Sequence, residues 1–424
     1  MQLIQARVVS QFVRFSHWRH GIAVMSLCGG VISASVGAFA ARYQLPSQYL
    51  SVARILASEG TWRYPREATE HGRPAADLYA YRPPGFPAAL AAAYRIFGQG
   101  DLAALILQST LVALIIAAIS LIGRELFGPS AGIASGVATL FFPYLLFHYQ
   151  TVIDTTLYSS CLLWMLYGAL VLRNSPGVRT AALVGLTGCC AVLTRPTAMV
   201  IVILVVVWAI LIRVPLRALL TLSLFFMAPL LAWLAHLYFR LGAFTFVATN
   251  GGWNLWLSNN SSSLAFLRSD KGSLDPIEFS GEHSFEFVSG LQEADEQDAF
   301  TRAAGAWIAD HPFDLFRLLL YKAYLTLLPI LRPRESTAKT VTFFVTALPI
   351  YLGTLVAMVK WRRCGDITLI GTTIALSMLL NIVFLPYARI LAPIFPLMIC
   401  LTVGLFFAVG RERAGSRVAI QGRA

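Results

Sequence analysis

The chain has 424 residues, of which 57% are hydrophobic and only 13% are charged; its net charge is +12 and its mean hydropathy is +0.68. Soluble proteins are about half apolar and about a quarter charged, so this composition excludes an ordinary soluble protein. Apolar segments long enough to cross a bilayer recur along the chain and predict an all-α polytopic membrane protein. Because no basic stripe lies on a polar domain, the positive charge indicates short cytoplasmic loops and not nucleic-acid binding.

The first predicted span runs from about His20 to Ala41. Arg7, Arg14 and Arg19 precede it, which predicts a cytoplasmic N-terminus. The apolar run is too long for a cleavable signal, and no small-residue cleavage site stands where one is needed. We therefore expect this segment to stay in the protein as a transmembrane helix.

A long polar stretch, residues 42–87, forms the first predicted outer loop. Apolar residues at helical spacing between Gln48 and Ser58 predict a helix that lies in the membrane interface. The run Arg82–Pro87 follows, with three prolines and one glycine. These residues predict a stiff turn and exclude a helix there.

Nine further apolar segments bring the predicted total to about ten spans, in a single domain over residues 1–424. Their approximate bounds are Leu102–Ile122, Ala131–Phe147, Thr156–Leu172, Ala181–Leu193, Ala198–Ile212, Ala218–Tyr238, Thr340–Val359, Ile367–Leu385 and Ile390–Val409. A second outer loop, residues 242–314, contains an acidic helical stretch from Glu293 to Asp310. The segment Leu315–Leu331 is apolar but carries Lys322, and we expect it to lie in the membrane plane, since a crossing there would put the basic residues 360–363 outside.

The short inner loops are basic and both long loops share the outer side, so we expect both termini to be cytoplasmic and the functional site to face outwards. Asp154 lies between the third and fourth predicted spans, where it could accept a proton, or else cap the fourth helix. Arg82, held rigid by the prolines after it, could bind a lipid phosphate through its planar fork or contact ordinary headgroups. Arg195 before Pro196 is interpreted mainly as a helix break.

Four stretches, in this order, carry a resemblance to a known family. They are Gln48-Tyr49 with Ala53, Gly60 and Tyr81–Pro87; Leu193–Pro196; Gly251–Trp256 with Asn259, Asn260, His311, Pro312 and Lys322; and Tyr387–Pro393. The chain resembles the GT-C superfamily of membrane glycosyltransferases, in the branch with bacterial relatives of protein mannosyltransferases and the aminoarabinose transferase of lipid A. The resemblance implies a GT-C-like fold in the bacterial inner membrane.

The same resemblance implies transfer of a sugar from a polyprenyl-phosphate donor to a lipid, glycan or protein acceptor at the outer membrane face. It assigns Arg82, Arg389 and Lys322 to the donor phosphate. The residues expected to contact substrate are Tyr49, Tyr81, Trp253, Asn254, Asn259 and Tyr387. Trp253 could equally be an interfacial anchor.

The family usually has an acidic residue a few positions before the tyrosine that Tyr49 matches. This chain differs, because residues 43–48 contain no carboxylate. Asp154 and Glu67 are therefore the candidate catalytic acids. Glu67 and His71 have the i,i+4 spacing that lets two side chains share a metal, so a divalent metal stays open. Two alternatives remain: a lipid-linked glycan flippase, and an inactive binding protein of the same fold.

Overall fold

The protein is described by a computed structural model over residues 20–32, 35, 48–64, 78–148, 151–269, 281, 283, 285–288, 290–331 and 336–421. In this part of the chain the regular structure is helical, with one isolated antiparallel bridge between Tyr64 and Leu78. The helices are α1 His20–Ile32, α2 Gln48–Glu59, α3 Gly85–Phe97, α4 Asp101–Phe127, α5 Pro129–Leu140, α6 Pro143–His148, α7 Thr155–Asn174, α8 Val178–Thr194, α9 Met199–Leu211, α10 Leu216–Leu241, α11 Gly251–Ser258, α12 Ser263–Arg268, α13 Glu293–Asp310, α14 Pro312–Leu327, α15 Thr337–Lys360, α16 Gly365–Val383, α17 Ala388–Leu391 and α18 Phe395–Gln421.

The helices confirm an integral, multi-pass membrane protein. Among the described residues, six segments are long and apolar enough to cross a bilayer. They are α4, α7, α10, α15, α16 and the segment Ala388–Ala408, which joins α17 to α18. Shorter apolar helices add His20–Ile32, Val178–Thr194 and Pro196–Leu211. The count of about ten spans stays a prediction.

Helix α7 is the centre of the bundle. About 78% of its most apolar window is buried inside the protein, against 22% for α10 and for α15. Helix α7 packs on α4 and α8, and α8 packs in turn on α10. The exposed apolar faces of α10 and α15 therefore belong to the lipid-facing surface, and the start of α7 lies deep within the helices that surround it.

The prolines produce two differences from the sequence-based interpretation. The predicted third span, 131–147, is two helices, α5 and α6, because Pro143 cannot continue a helix and begins a new one. The prediction that Arg82–Pro87 excludes a helix is wrong, since α3 begins at Gly85. Pro87 is tolerated in the first helical turn because backbone N–H groups have no intrahelical partner there.

The second long loop has its own apolar core between α11, α13 and α14. Trp253 and Trp256 are 2% and 1% exposed, and the Trp253 ring packs edge-on against Phe300 with 5.0 Å between ring centroids. Gly252 makes the close approach of α11 to α13 feasible, because a Cβ there would collide with the backbone of Gln297. This loop is therefore a folded unit on top of the bundle.

Helix α14 is amphipathic. One face is buried and carries Lys322, and the opposite face is exposed. The large apolar residues of the exposed face are Phe313, Phe316, Leu320, Tyr324 and Leu327. The helix is not among the segments long and apolar enough to span. Such a helix suits the membrane interface, and its in-plane position stays a prediction.

The predicted topology can be tested by cysteine labelling in right-side-out vesicles. The starting protein has its exposed cysteines, Cys28, Cys190 and Cys364, replaced by serine. We expect a membrane-impermeant maleimide to label Ser261→Cys, in the second long loop, and not Ser175→Cys, between α7 and α8, because the basic loops stay inside. Labelling of Ser175→Cys before the vesicles are opened would overturn the topology.

Candidate active site

Four charged side chains from separate segments lie close enough to interact electrostatically, three arginines with one carboxylate. Arg82 comes from the turn before α3, Asp154 from the residue before α7, Arg195 from the junction of α8 and α9, and Arg389 from α17. Arg195, Arg389 and Arg82 all act electrostatically on the Asp154 carboxylate. Segments that are far apart in sequence thus build one site.

The closest contact in this cluster is the ion pair between Asp154 and Arg195. The Nε of Arg195 donates to Oδ2 of Asp154 at 2.6 Å, and its Nη2 donates to the hydroxyl of Thr155 at 2.6 Å. The two charged side chains are 17% and 15% exposed. Asp154 stands at the N-cap position of α7 but makes no side-chain capping bond, because its carboxylate binds Arg195 instead.

The charge state of Asp154 follows from its neighbours. Burial alone would raise the pKa of its carboxyl group, but the guanidinium of Arg195, with those of Arg389 and Arg82, outweighs burial and lowers the pKa. Asp154 is therefore an ionised carboxylate at neutral pH. A carboxylate in this state cannot serve as a proton donor, but it can accept a hydrogen bond or stabilise positive charge.

Both the backbone and the side chain of Arg82 are held by neighbouring residues. The hydroxyl of Tyr64 donates to the carbonyl oxygen of Arg82 at 3.0 Å, and the guanidinium lies 5.1 Å from the centroid of the Tyr81 ring. The side-chain amide of Asn250 is oriented so that its oxygen and its nitrogen both form hydrogen bonds. The oxygen accepts from Nη1 of Arg82 at 3.2 Å, and the nitrogen donates to the Tyr81 carbonyl at 3.3 Å. The turn is thus fixed before any ligand arrives.

Gly85 explains why this turn can lie beside Arg195. A Cβ at Gly85 would collide with the Thr194 side chain and lie 3.0 Å from the carbonyl oxygen of Leu193. These two residues are the last of α8, next to Arg195. The absence of a side chain at Gly85 therefore allows the Arg82 turn to lie against the end of α8.

A cavity of about 690 Å³ adjoins the charged cluster. It is lined by Pro143, Tyr144, His148, Thr151, Leu331, Ala338, Lys339, Thr342, Phe343, Thr346, Tyr387, Ala388 and Arg389. Arg389 belongs both to the cavity and to the cluster around Asp154, and its guanidinium lies 5.2 Å from the centroid of the Tyr387 ring. The cavity thus combines two cationic groups, Lys339 and Arg389, with an aromatic and aliphatic wall.

His148 is a site residue that sequence reasoning did not single out. Its ring stacks on Tyr144 with 5.5 Å between centroids, and its Nε2 has no hydrogen-bond partner in the described structure. Burial, with the positive charges of Arg389 and Arg195, lowers the pKa of His148 to about 4. The ring is therefore neutral at physiological pH. No local pattern in the sequence points to it, because its environment comes from distant helices.

The remaining predicted site residues fall into three groups. Tyr49 lies near the charged cluster and feels Asp154, Arg82, Arg195 and Arg389, and burial first of all raises the pKa of its hydroxyl to about 12. Tyr387 lines the cavity and Tyr81 is buried beneath Arg82. The third group, Lys322, Asn259, Trp253 and Asn254, does not line the cavity.

Lys322 and Asn259 meet each other away from the cavity. The Lys322 ammonium group is buried and donates to Oδ1 of Asn259 at 3.1 Å and to the Val383 carbonyl at 3.3 Å. Trp253 is covered within the second loop, and Asn254 lies half-buried on the same helix. In this structure Lys322 thus joins α14 to the end of α16 and does not line the cavity.

Glu67, the second candidate acid, and His71 lie outside the described residues. Within the described ranges, no group of three or more His, Cys, Asp or Glu side chains is arranged to hold a metal ion. The cluster around Asp154 instead surrounds one carboxylate with guanidinium groups. Such a set suits an anionic ligand better than a cation.

The Asp154–Arg195 pair should stabilise the bundle. We expect Asp154→Asn and Arg195→Met each to lower the free energy of unfolding by about 3 kcal/mol, because each leaves its partner poorly solvated and unpaired. The double variant should lose less than the sum, by about 1–3 kcal/mol. Equilibrium unfolding in one detergent measures all three.

The surface pair Arg317–Asp314, at 69% and 61% exposed, is the matched control and should show a coupling under about 1 kcal/mol. A coupling between Asp154 and Arg195 no larger than that of this control would contradict the assignment.

The comparisons with known proteins agree with this architecture. Residues 81–248, less than half of the chain, match the family model described as dolichyl-phosphate-mannose-protein mannosyltransferase. This range contains the Arg82 turn, Asp154 and Arg195. No curated protein sequence gives a significant match.

Solved structures show the fold. The oligosaccharyltransferase of Archaeoglobus fulgidus in its apo form aligns with a TM-score of 0.56 at 12% identity, over 95% of this chain and 52% of that one. The archaeal oligosaccharyltransferase AglB from the same organism, in complex with an inhibitory peptide and a dolichol-phosphate, aligns with a TM-score of 0.54 at 12% identity, over 96% of this chain and 52% of that one. The chain therefore spans about half of the length of these two structures.

ArnT from Cupriavidus metallidurans bound to undecaprenyl phosphate aligns with a TM-score of 0.45 at 15% identity, over 94% of this chain and 79% of that one. The family model over residues 81–248 and the two oligosaccharyltransferase structures support the resemblance noted in the motifs: the chain has the fold of the GT-C superfamily of membrane glycosyltransferases.

Proposed function

We propose that this protein transfers a sugar from a polyprenyl-phosphate donor to an acceptor at the outer face of the membrane. The observation that supports it most directly is the convergence of Arg82, Arg195 and Arg389 on Asp154, beside a cavity with cationic and apolar walls. A lipid phosphate has the same two parts, an anionic head and an apolar chain. The fold similarity to AglB in complex with a dolichol-phosphate is consistent with such a ligand.

In this proposal Arg82 and Arg389 bind the donor phosphate. Their guanidinium groups offer several donors each, and both are braced by aromatic rings, which lowers the cost of ordering them on binding. Lys339 adds a further positive charge at the cavity. Phe343 and Leu331 line the same cavity and provide apolar contacts for the first isoprene units.

Asp154 is the proposed catalytic carboxylate. The transition state of glycosyl transfer carries positive charge on the sugar ring, and a nearby carboxylate stabilises it. Because Arg195 and Arg389 keep Asp154 ionised, its carboxylate already carries a negative charge before the donor binds. It can also accept a hydrogen bond from the acceptor group and orient it. Glu67 stays a second candidate acid, and Lys322 stays a predicted contact of the donor phosphate.

The flippase alternative is less well supported by the geometry. Transporters usually place their polar binding residues near the middle of the membrane, at the interface of internal repeats. Here the charged cluster lies at helix ends and in turns: before α3, before α7, between α8 and α9, and in α17. That location suits a reaction at the membrane surface.

The three readings give different lipid intermediates in cells. We expect deletion of the protein to remove one sugar unit from a lipid-linked or lipid-anchored glycan, as measured by mass spectrometry of extracted lipids. Accumulation of the complete precursor instead would support transport and defeat the transferase. An unchanged profile, with the protein shown to bind undecaprenyl phosphate, would support the inactive binding protein.

Arg82 gives the sharpest test of the donor-phosphate assignment. We expect Arg82→Ala to remove a charge-assisted contact worth roughly 1.5–3 kcal/mol and so to weaken binding of undecaprenyl phosphate about ten- to a hundredfold. Arg82→Lys should keep part of the affinity, because the charge remains while the fork is lost. Binding to purified variants in nanodiscs of one composition measures this.

Arg317→Ala is the control, since Arg317 is exposed on α14 and does not line the cavity. Equal affinity in Arg82→Ala and Arg317→Ala, with both proteins folded, would show that Arg82 contacts only headgroups.

A further inference from the structure

We propose that Glu293 is a positioning residue, which fixes the Arg82 turn so that the guanidinium group meets the donor phosphate. This inference rests on the proposed function and adds a residue from the second long loop to the site. Glu293 is the first residue of α13 and is 9% exposed. A carboxylate with so little solvent contact needs hydrogen-bond donors from the protein.

The donors to Glu293 come from two different loops. The backbone N–H of Tyr79 donates to Oε2 at 2.7 Å and that of Ala80 donates to Oε1 at 3.0 Å. The hydroxyl of Thr249 donates to Oε1 at 2.7 Å. Glu293 therefore joins the first long loop, just before Arg82, to the second long loop.

The bridge continues through the backbone of the second loop. The N–H of Thr249 donates to the Ala80 carbonyl at 2.8 Å, so the two segments are joined twice. The next residue, Asn250, accepts from Nη1 of Arg82 at 3.2 Å. Glu293 thus holds the two chain segments, residues 79–80 and 249, whose neighbours Arg82 and Asn250 meet in the site.

Two further contacts brace the same segment from other sides. The Arg240 guanidinium at the end of α10 lies 4.0 Å from the centroid of the Tyr79 ring. Tyr64 pairs with Leu78 in the antiparallel bridge, and its hydroxyl donates to the Arg82 carbonyl at 3.0 Å. The segment is therefore held by Glu293, Thr249, Arg240 and Tyr64. The hydrogen bonds to the Glu293 carboxylate are charge-assisted.

This arrangement suits a residue that orders a cation in advance. A flexible arginine loses side-chain and backbone freedom when it binds a phosphate, and that loss reduces affinity. Fixing residues 79–80 before binding removes part of the loss. The contribution of Glu293 should therefore appear in donor affinity and depend on the presence of Arg82.

The test uses Glu293→Gln, which keeps the shape of the side chain but replaces one acceptor oxygen with an N–H₂ group that faces donors. We expect faster amide hydrogen exchange at Tyr79 and Ala80 and about tenfold weaker binding of undecaprenyl phosphate in nanodiscs. In an Arg82→Ala background the same change should have little further effect on binding, because Glu293 acts through Arg82.

Matched variants separate positioning from general stability. Asp295→Asn also converts a carboxylate to an amide, two residues further along α13 on an exposed side chain, and should leave exchange and binding unaltered. Thr249→Val removes one donor to Glu293, and Thr249→Ser restores it. We expect Thr249→Val to weaken binding of undecaprenyl phosphate, as Glu293→Gln does, and Thr249→Ser, which keeps the hydroxyl, to bind like the unmodified protein.

The outcomes distinguish this inference from the proposed function. Unchanged exchange at Tyr79 and Ala80 in Glu293→Gln would overturn the clamp, whatever the activity of the protein. Faster exchange with unaltered lipid binding, while Arg82→Ala still weakens binding, would overturn the positioning role and leave the donor site intact. Equal losses from Glu293→Gln with and without Arg82 would show that Glu293 acts on the fold and not through Arg82. Failure of the proposed transferase activity would alter none of these binding and exchange measurements.

Discussion

The ion pair between Asp154 and Arg195 is the interaction on which the rest of the site depends. It joins the start of α7, the most buried of the six candidate spans in the described part of the chain, to the break between α8 and α9, with both side chains under 20% exposed. Charges so little solvated are costly unless paired, so the two helix ends have to meet. Gly85 then allows the Arg82 turn to pack against the end of α8, and the short helix α17 adds Arg389. The proposed donor site is therefore a consequence of how one buried carboxylate is neutralised.

The sequence predicts most of the helices because hydropathy and helical spacing are local properties. The stretch Glu293–Asp310 is a helix with the predicted bounds, and α2 ends one residue beyond the predicted Ser58. The failures come from prolines, whose effect depends on their position within a turn. Pro143 divides the predicted third span, whereas Pro87 is accommodated in the first turn of α3. A rule based on proline content alone does not distinguish these two positions.

The site was predictable only in part. The spacing of the basic loops places Arg82, Asp154 and Arg389 on one side of the membrane, and the structure brings all three into one cluster. The partner of Asp154, however, is 41 residues away along the chain, and a helix cap is the favoured local explanation for an aspartate before two threonines. Lys322 shows the opposite case. Its position on an apolar segment suggested a membrane-surface cation, yet it is buried against Asn259 and the end of α16, where burial lowers its pKa to about 7. Tertiary packing, which local patterns do not contain, decides between these outcomes.

The absence of a carboxylate from residues 43–48 makes the charge state of Asp154 important for the proposed reaction. With Asp154 surrounded by Arg82, Arg195 and Arg389, its lowered pKa makes it a weak proton acceptor. A donor phosphate bound to the same guanidinium groups would partly neutralise them, and the pKa of Asp154, like that of His148, would rise on donor binding because fewer positive charges would act on each. Proton acceptance would then be coupled to the presence of the donor. In the proposed reaction Asp154 therefore becomes a stronger base when the donor binds, and without a donor the three arginines around it favour an anionic ligand.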